Sequence, residues 1–214
     1  MTTFICRLKK LKANSFTLVE LLVVISIIGL LAGLATPAIQ GGLDKAKQQV
    51  DVSNARQLGL ILYTEASDNN GYFRVNTDLT NTSPAGNFVT VLQALFAQGA
   101  LNNVKILAGN GVQPATSTNT LTGANVALSY VGPLTTSDDG MIPLLFTKGP
   151  SSLSSSNVTL QNSPSFPWRQ KGLVIYRLGN SAEWLKSGAG GAPVNSVNIG
   201  VSVTNPGVQV IPAQ

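Results

Sequence analysis

Histidine is absent from all 214 residues, and cysteine occurs once, as Cys6. The first absence rules out Ser-His-Asp and Cys-His catalysis and any zinc site with histidine ligands. The second leaves no intramolecular disulfide to form. Charge is scarce as well: 11% of residues are Asp, Glu, Lys or Arg, against 43% hydrophobic. The polar surface must therefore rest mainly on Ser, Thr, Asn and Gln. The formal charge of +5 is concentrated in Arg7, Lys9, Lys10 and Lys12, beyond which basic and acidic residues nearly balance. A phosphate-binding surface needs clustered Lys and Arg, so the composition speaks against nucleic acid as a partner.

No charged residue lies between Leu21 and Ala35, and the apolar tract covers 16–39 if Glu20 is included. As a helix it spans roughly 36 Å at about 1.5 Å per residue, enough to cross a bilayer core. The basic cluster ahead of it predicts a cytoplasmic N-terminal side and export of the chain beyond the helix. Three readings compete: a cleaved signal peptide with Gly33 and Ala35 before the cut, a plain signal anchor, and a helix clipped at its cytoplasmic end that packs against copies of itself. Glu20 separates them. A carboxylate in a membrane segment costs a few kcal/mol unless partnered. A new amine created by a cut before Phe16 would partner it on a neighbouring subunit.

The stretch "FTLVELLVVISIIGLLAGLATPAI" behind a short basic leader resembles the N-terminus of type IV pilins and type II secretion pseudopilins. The resemblance implies a cut by prepilin peptidase between Ser15 and Phe16, N-methylation of Phe16, and Glu20 as the acid that docks subunits. The family nearly always has glycine before the cut; here that residue is Ser15, also small. Pro37 falls where many members have a helix-kinking proline. Gly29 and Gly33 form a small-xxx-small pair that lets helices approach closely in lipid, and with Pro37 they lower helix propensity. The functional reading is a helix able to loosen between Gly29 and Pro37 in a filament; the plainer one is that Gly and Pro are frequent in membrane helices. "NARQLGLILYTEASDNNGYF" resembles the continuation found in pseudopilin-like proteins, extending the resemblance to residues 7–73.

Beyond Gly41-Gly42, Leu43, Ala46, Val50, Leu58, Ile61 and Leu62 recur near helical spacing. They predict an amphipathic helix over 43–65 that docks this stripe on a globular domain and is ended by "SDNNGYF". "NFVTVLQALFAQG" reads as a short helix with Asn87 as N-cap and Gly99 as stop. Strands are expected at 104–108, 126–131, 142–146, 173–178, 197–203 and 208–211. "GLVIYRLGNSAEWL" reads as two strands around a Gly-Asn turn. It resembles a late pseudopilin hairpin whose turn more often reads Asp-Gly-His, so no role of that acid or histidine carries over to Gly179-Asn180-Ser181. Stretches 76–87, 113–123, 150–165 and 186–196 read as surface loops, with "SSLSSSN" and "GAGG" of low complexity.

The expected architecture is α+β: a long N-terminal helix, half membrane-spanning and half amphipathic, packed on a small, mostly antiparallel sheet. Its divisions are a basic leader (1–15), a transmembrane assembly helix (16–39), an amphipathic helix (40–66) and an exported β-rich domain (67–214). Sites for small-molecule chemistry are sparse. Asp138 and Asp139 in "TTSDDGM" offer oxygen ligands of the kind calcium takes, and some major pseudopilins bind calcium in a late loop. Against this, there is no EF-hand pattern, and paired acids in a turn are more often simply solvated. Asp78, Asp138, Asp139 and Glu183 single out no hydrolytic carboxylate pair, and the glycines of 188–191 match no nucleotide-binding motif. Trp168 and Trp184 suit a core or hairpin better than a partner site. No cofactor is called for beyond that calcium option, and no enzymatic role.

The resemblance implies a filament subunit whose partners are copies of itself, related pseudopilins, prepilin peptidase, and an inner-membrane platform with its ATPase. It would lie in the bacterial inner membrane by a single pass, its C-terminal domain periplasmic and the assembled filament periplasmic or at the cell surface. The rival is an exported binding or enzymatic domain behind a conventional signal peptide or anchor.

Overall fold

The structure is a computed structural model that describes residues 16–74, 87–150, 157–164, 166–188, 196–199 and 209–211. The chain divides into two units, Met1–Asp44 and Lys45–Gln214. Helix α1 (Leu18–Asp68) contributes to both and is unbroken through Gly29, Gly33, Pro37 and Gly41-Gly42. In the first unit every described residue from Phe16 to Leu43 is exposed. The second unit holds the core.

The end of α1 follows from its sequence. After Asp68, Asn70 and Gly71 take left-handed conformations (φ 56° and 83°), and the Gly71 amide donates to the Ala66 carbonyl at 2.8 Å. Asn and Gly are the residues that reach this region at least cost. Helix α2 (Phe88–Ala97) begins as expected at Asn87, whose side chain accepts from the Val89 amide at 2.9 Å, and stops at Gly99 (φ 74°).

Strands β1 (Leu128–Gly132), β2 (Pro143–Thr147), β4 (Gly172–Arg177), β5 (Ala182–Lys186) and β7 (Gln209–Ile211) form an antiparallel sheet in the order β5-β4-β2-β1-β7. A second, two-stranded sheet pairs β3 (Asn157–Thr159) with β6 (Ser196–Asn198). Every residue of β1, β2 and β4 is buried, whereas edge strand β5 is half exposed and carries Glu183 and Lys186. Central strands covered on both faces read as continuous apolar runs, and charge on an edge discourages further pairing. The core joins Leu58, Leu62 and Ala66 of α1 to Phe88 and Leu92 of α2 and to Tyr130, Phe146 and Tyr176 of the sheet. At Gly59 the helix comes so close to the sheet that an added Cβ would overlap the Tyr176 ring.

Several expectations need correction. Residues 104–108 are not a strand but a 3-10 turn, Val104–Leu107, because Asn103 Oδ1 accepts from the Lys105 amide at 3.0 Å and starts a helical turn. The stretch 150–165 is not wholly loop, since it contains β3. In 113–123, Ala115 and Leu121 are buried, so part of that segment belongs to the core. The stripe read for 43–65 is also displaced. Leu43, Ala46 and Val50 are exposed, and the docked face comprises Asp51, Ala55, Leu58, Gly59, Leu62, Glu65 and Ala66. Apolar periodicity could not find this face, because two of its members are acids. Of the strand expected over 197–203, residues 200–203 lie outside the described residues, as do 76–86 and 189–195 of the expected loops.

Candidate functional site

The outstanding surface is the N-terminal half of α1. Leu18, Leu21, Val23, Ile25, Ile28, Leu31 and Leu34 are all exposed, on every side of the helix. No other described helix is long and apolar enough to cross a membrane. A helix apolar all round is stable only if something apolar surrounds it. Its few polar groups are satisfied internally: Ser26 Oγ donates to the Leu22 carbonyl at 2.7 Å and Thr36 Oγ1 to the Ala32 carbonyl at 2.8 Å. Lipid requires that arrangement, since it offers no hydrogen bonds of its own. A Cβ built on Gly29, Gly33, Gly41 or Gly42 would meet nothing within 4 Å, so no contact within the single chain requires glycine there.

Glu20 sits in the first turn of α1 and closes a capping box with Thr17. Glu20 Oε2 accepts from both the amide and the hydroxyl of Thr17 at 2.8 Å, and the Glu20 amide donates to Thr17 Oγ1 at 3.2 Å. The sequence pattern Thr-x-x-Glu that opens a helix carries this geometry, a signal the apolar reading of the segment passed over. Phe16 is exposed immediately before the box, and Ser15 lies outside the described residues.

The other singled-out residues are separate from this surface. Asp138 Oδ2 accepts from the amide (2.6 Å) and hydroxyl (3.1 Å) of Thr135, and Asp139 Oδ1 from the Met141 amide (2.9 Å). Both acids thus brace the turn before β2. Among the described residues no three Asp, Glu, Cys or His side chains gather as metal ligands would. Trp168 is buried and meets Trp184 edge-on at 4.9 Å between ring centroids.

Two buried polar clusters escaped the sequence reading. Asp51 Oδ2 accepts from the Trp168 indole N–H at 2.7 Å and the Asn110 amide at 3.2 Å. Burial pushes the Asp51 carboxyl above its usual range, partly offset by those two donors. Glu65 Oε1 is paired with Arg74 at 2.6 Å, both side chains being buried. Burial also pushes the Tyr130 hydroxyl upward, reinforced by the negative charge of Glu65. These clusters tie α1 to the fold; a single acid on a helix carries no signal in the sequence that it faces inward.

Comparison with known proteins bears on the helix. Residues 10–36 match the prokaryotic N-terminal methylation motif. The chain is 42% identical over 65 residues to type II secretion system core protein G of Aeromonas hydrophila, covering 30% of this chain and 46% of the relative. The corresponding protein of Escherichia coli K12 is 41% identical over 68 residues, 32% of this chain and 47% of the relative. That of Pectobacterium carotovorum is 41% identical over 61 residues, 28% and 39% of the two chains. The chain thus spans less than half the length of these curated relatives, and no solved structure matches it. Over about a third of its length, then, it is homologous to type II secretion system core protein G, and it carries a prepilin-type methylation motif at its N-terminal end.

Proposed function

We propose that this chain is a structural, non-enzymatic subunit of a pilin-like filament, a pseudopilus in the first instance. The observation that carries the reading is the fully exposed apolar half of α1, headed by an acid and preceded by a basic leader. The methylation motif over residues 10–36 supports it. In this reading the helix first holds the chain in the inner membrane, with the C-terminal unit on the periplasmic side. Prepilin peptidase cuts between Ser15 and Phe16 and the Phe16 amine is methylated. The amine of one copy then neutralises Glu20 of a neighbour as the helices bundle. Desolvation makes that pairing strong, because charges attract far more in hydrocarbon than in water. Gly29 and Gly33, where an added Cβ would meet nothing within 4 Å in the single chain, provide flat helix surface for the neighbour. Pro37, lacking an amide donor, marks where the helix can loosen under packing. Energy for extraction comes from an inner-membrane platform with an ATPase, as the chain has no nucleotide motif of its own.

Mass spectrometry of the membrane-extracted protein tests this directly. A mature chain beginning at N-methyl-Phe16 is the expected result. A chain beginning near Thr36 would instead mean a conventional signal peptide and would overturn the proposal.

A further inference from the structure

The unit Lys45–Gln214 carries two concavities of opposite charge at different heights along α1. One is an open groove of about 520 Å³ lined by Leu60, Thr64, Glu65 and Asp68 of α1 and by Gln98 and Gly99 after α2. Glu65 is 6% exposed, and its Oε2 has no hydrogen-bond donor among the described residues. Asp68 is exposed at the groove's end. The other described acids of this unit are engaged: Asp51, Glu65, Asp138, Asp139 and Glu183 each accept a hydrogen bond. The Asp68 carboxylate accepts none among the described residues, so its charge faces outward with no donor of its own.

The other concavity is a cleft of about 300 Å³ lined by Asn110, Pro164, Phe166, Trp168, Arg169 and Lys171. Arg169 is exposed and held at φ 49°, a left-handed conformation uncommon for a residue with a side chain. Strain of this kind persists only where the surroundings enforce it. Its guanidinium makes no hydrogen bond among the described residues. The indole N–H of Trp168 donates to Asp51, which fixes the cleft at the level of Asp51 on the helix. From Asp51 to Asp68 the helix rises roughly 25 Å at about 1.5 Å per residue.

We infer that this unit contacts a second copy of the chain head to tail, with Asp68 of one copy entering the aromatic cleft of the next and pairing with its Arg169. The inference rests on the filament reading above and names a contact within it. A carboxylate on one concavity and a guanidinium in another, neither with a partner among the described residues, are complementary in charge. Arg presents the planar fork that suits a carboxylate, and the rings and prolines beside it exclude water, which strengthens the pair. Because the two concavities are different surfaces, the contact is heterologous and does not close on itself, the symmetry of an open helical array. With the Asp51–Asp68 helix segments of the two copies parallel, as in a filament, the contact displaces the copies along the helix by roughly the 25 Å between Asp51 and Asp68, at about 1.5 Å per residue.

Charge reversal tests this in the full chain, expressed in membranes with its processing machinery. Asp68→Arg and Arg169→Glu are each expected to reduce filament yield about tenfold or more, since like charges meeting at an interface are strongly disfavoured. The double variant is expected to return to within about twofold of wild type, as a reversed pair restores the attraction. Cross-linking supplies a second readout: in a Cys6→Ser background the chain has no other cysteine. Copies carrying Asp68→Cys and Arg169→Cys should then be joined by a short bismaleimide only when both are present. Unchanged yields in both single variants, or a double variant as defective as the worse single one, would overturn the contact. N-methyl-Phe16 is scored in every sample. Wild-type chains that are neither processed nor assembled refute the filament reading, and the contact falls with it; wild-type filaments indifferent to the reversals refute the contact alone.

Discussion

Replacing Asp51 by alanine should destabilise the C-terminal unit more than any surface reading of the sequence suggests. The carboxylate lies on the buried face of α1, 5% exposed, with Trp168 and Asn110 donating to the same oxygen at 2.7 and 3.2 Å. Alanine leaves the indole N–H of Trp168, itself only 2% exposed, without an acceptor. Hydrogen bonds to a charged group contribute about 1.5–3 kcal/mol each. Part of that loss is recovered because a buried carboxylate need no longer be desolvated. The net cost is about 2–4 kcal/mol, and at about 2–4 °C per kcal/mol for a unit of this size, Tm should fall by roughly 5–15 °C. Asp51→Asn keeps an acceptor for Trp168 and should lose about 1 kcal/mol or less. Thermal melts of the detergent-solubilised chain followed by tryptophan fluorescence suit this site, because the chain's two tryptophans, Trp168 and Trp184, touch each other beside it. The pH dependence gives an independent check. Burial raises the folded pKa of Asp51, so the folded state holds this proton more tightly than the unfolded chain, whose value is about 3.9. The resulting stabilisation is fully present below about pH 3.9 and is lost as pH rises through the folded value. Asp51→Asn cannot titrate, so the wild-type-minus-variant difference should shrink across that window and be flat above it. An alanine variant melting within about 1–2 °C of wild type, or a difference that ignores pH throughout, would refute this account of the site.

Other expected outcomes rest on single contacts. Gly59→Ala puts a Cβ into the Tyr176 ring; overpacking of about 1–3 kcal/mol outweighs the helix propensity gained, and a urea midpoint at or above wild type would contradict it. Arg74→Met strands the buried Glu65 carboxylate and should cost about 3–5 kcal/mol in urea unfolding, with Glu65→Gln added in the same chain recovering part of it; a loss under about 1 kcal/mol would show the pair to be dispensable. Asn87→Ala removes the acceptor for the Val89 amide and should cost about 1 kcal/mol, which the same titration measures. Glu20→Ala should leave membrane insertion intact and abolish filaments by electron microscopy; normal filaments would remove Glu20 from the docking step.

The amino-acid order alone determined much of this protein. Twenty-four residues with one charge, a basic cluster before them and Glu20 near their start define the exposed half of α1, because lipid compatibility depends on composition rather than on long-range contacts. Local chemistry likewise fixed Asn87 as the start of α2, Gly71 as the end of α1 and the Gly-Asn turn of the β4–β5 hairpin, where Asn180 takes φ 61°. Tertiary structure decided which face of α1 meets the sheet. Asp51 and Glu65 are inside because Trp168, Asn110 and Arg74, distant or weakly patterned in sequence, supply their donors. It also decided that Asn157–Thr159 pairs with Ser196–Asn198. A strand needs a partner, and a buried acid needs a donor. Periodicity along one chain registers neither, since each is a property of two segments that meet only on folding.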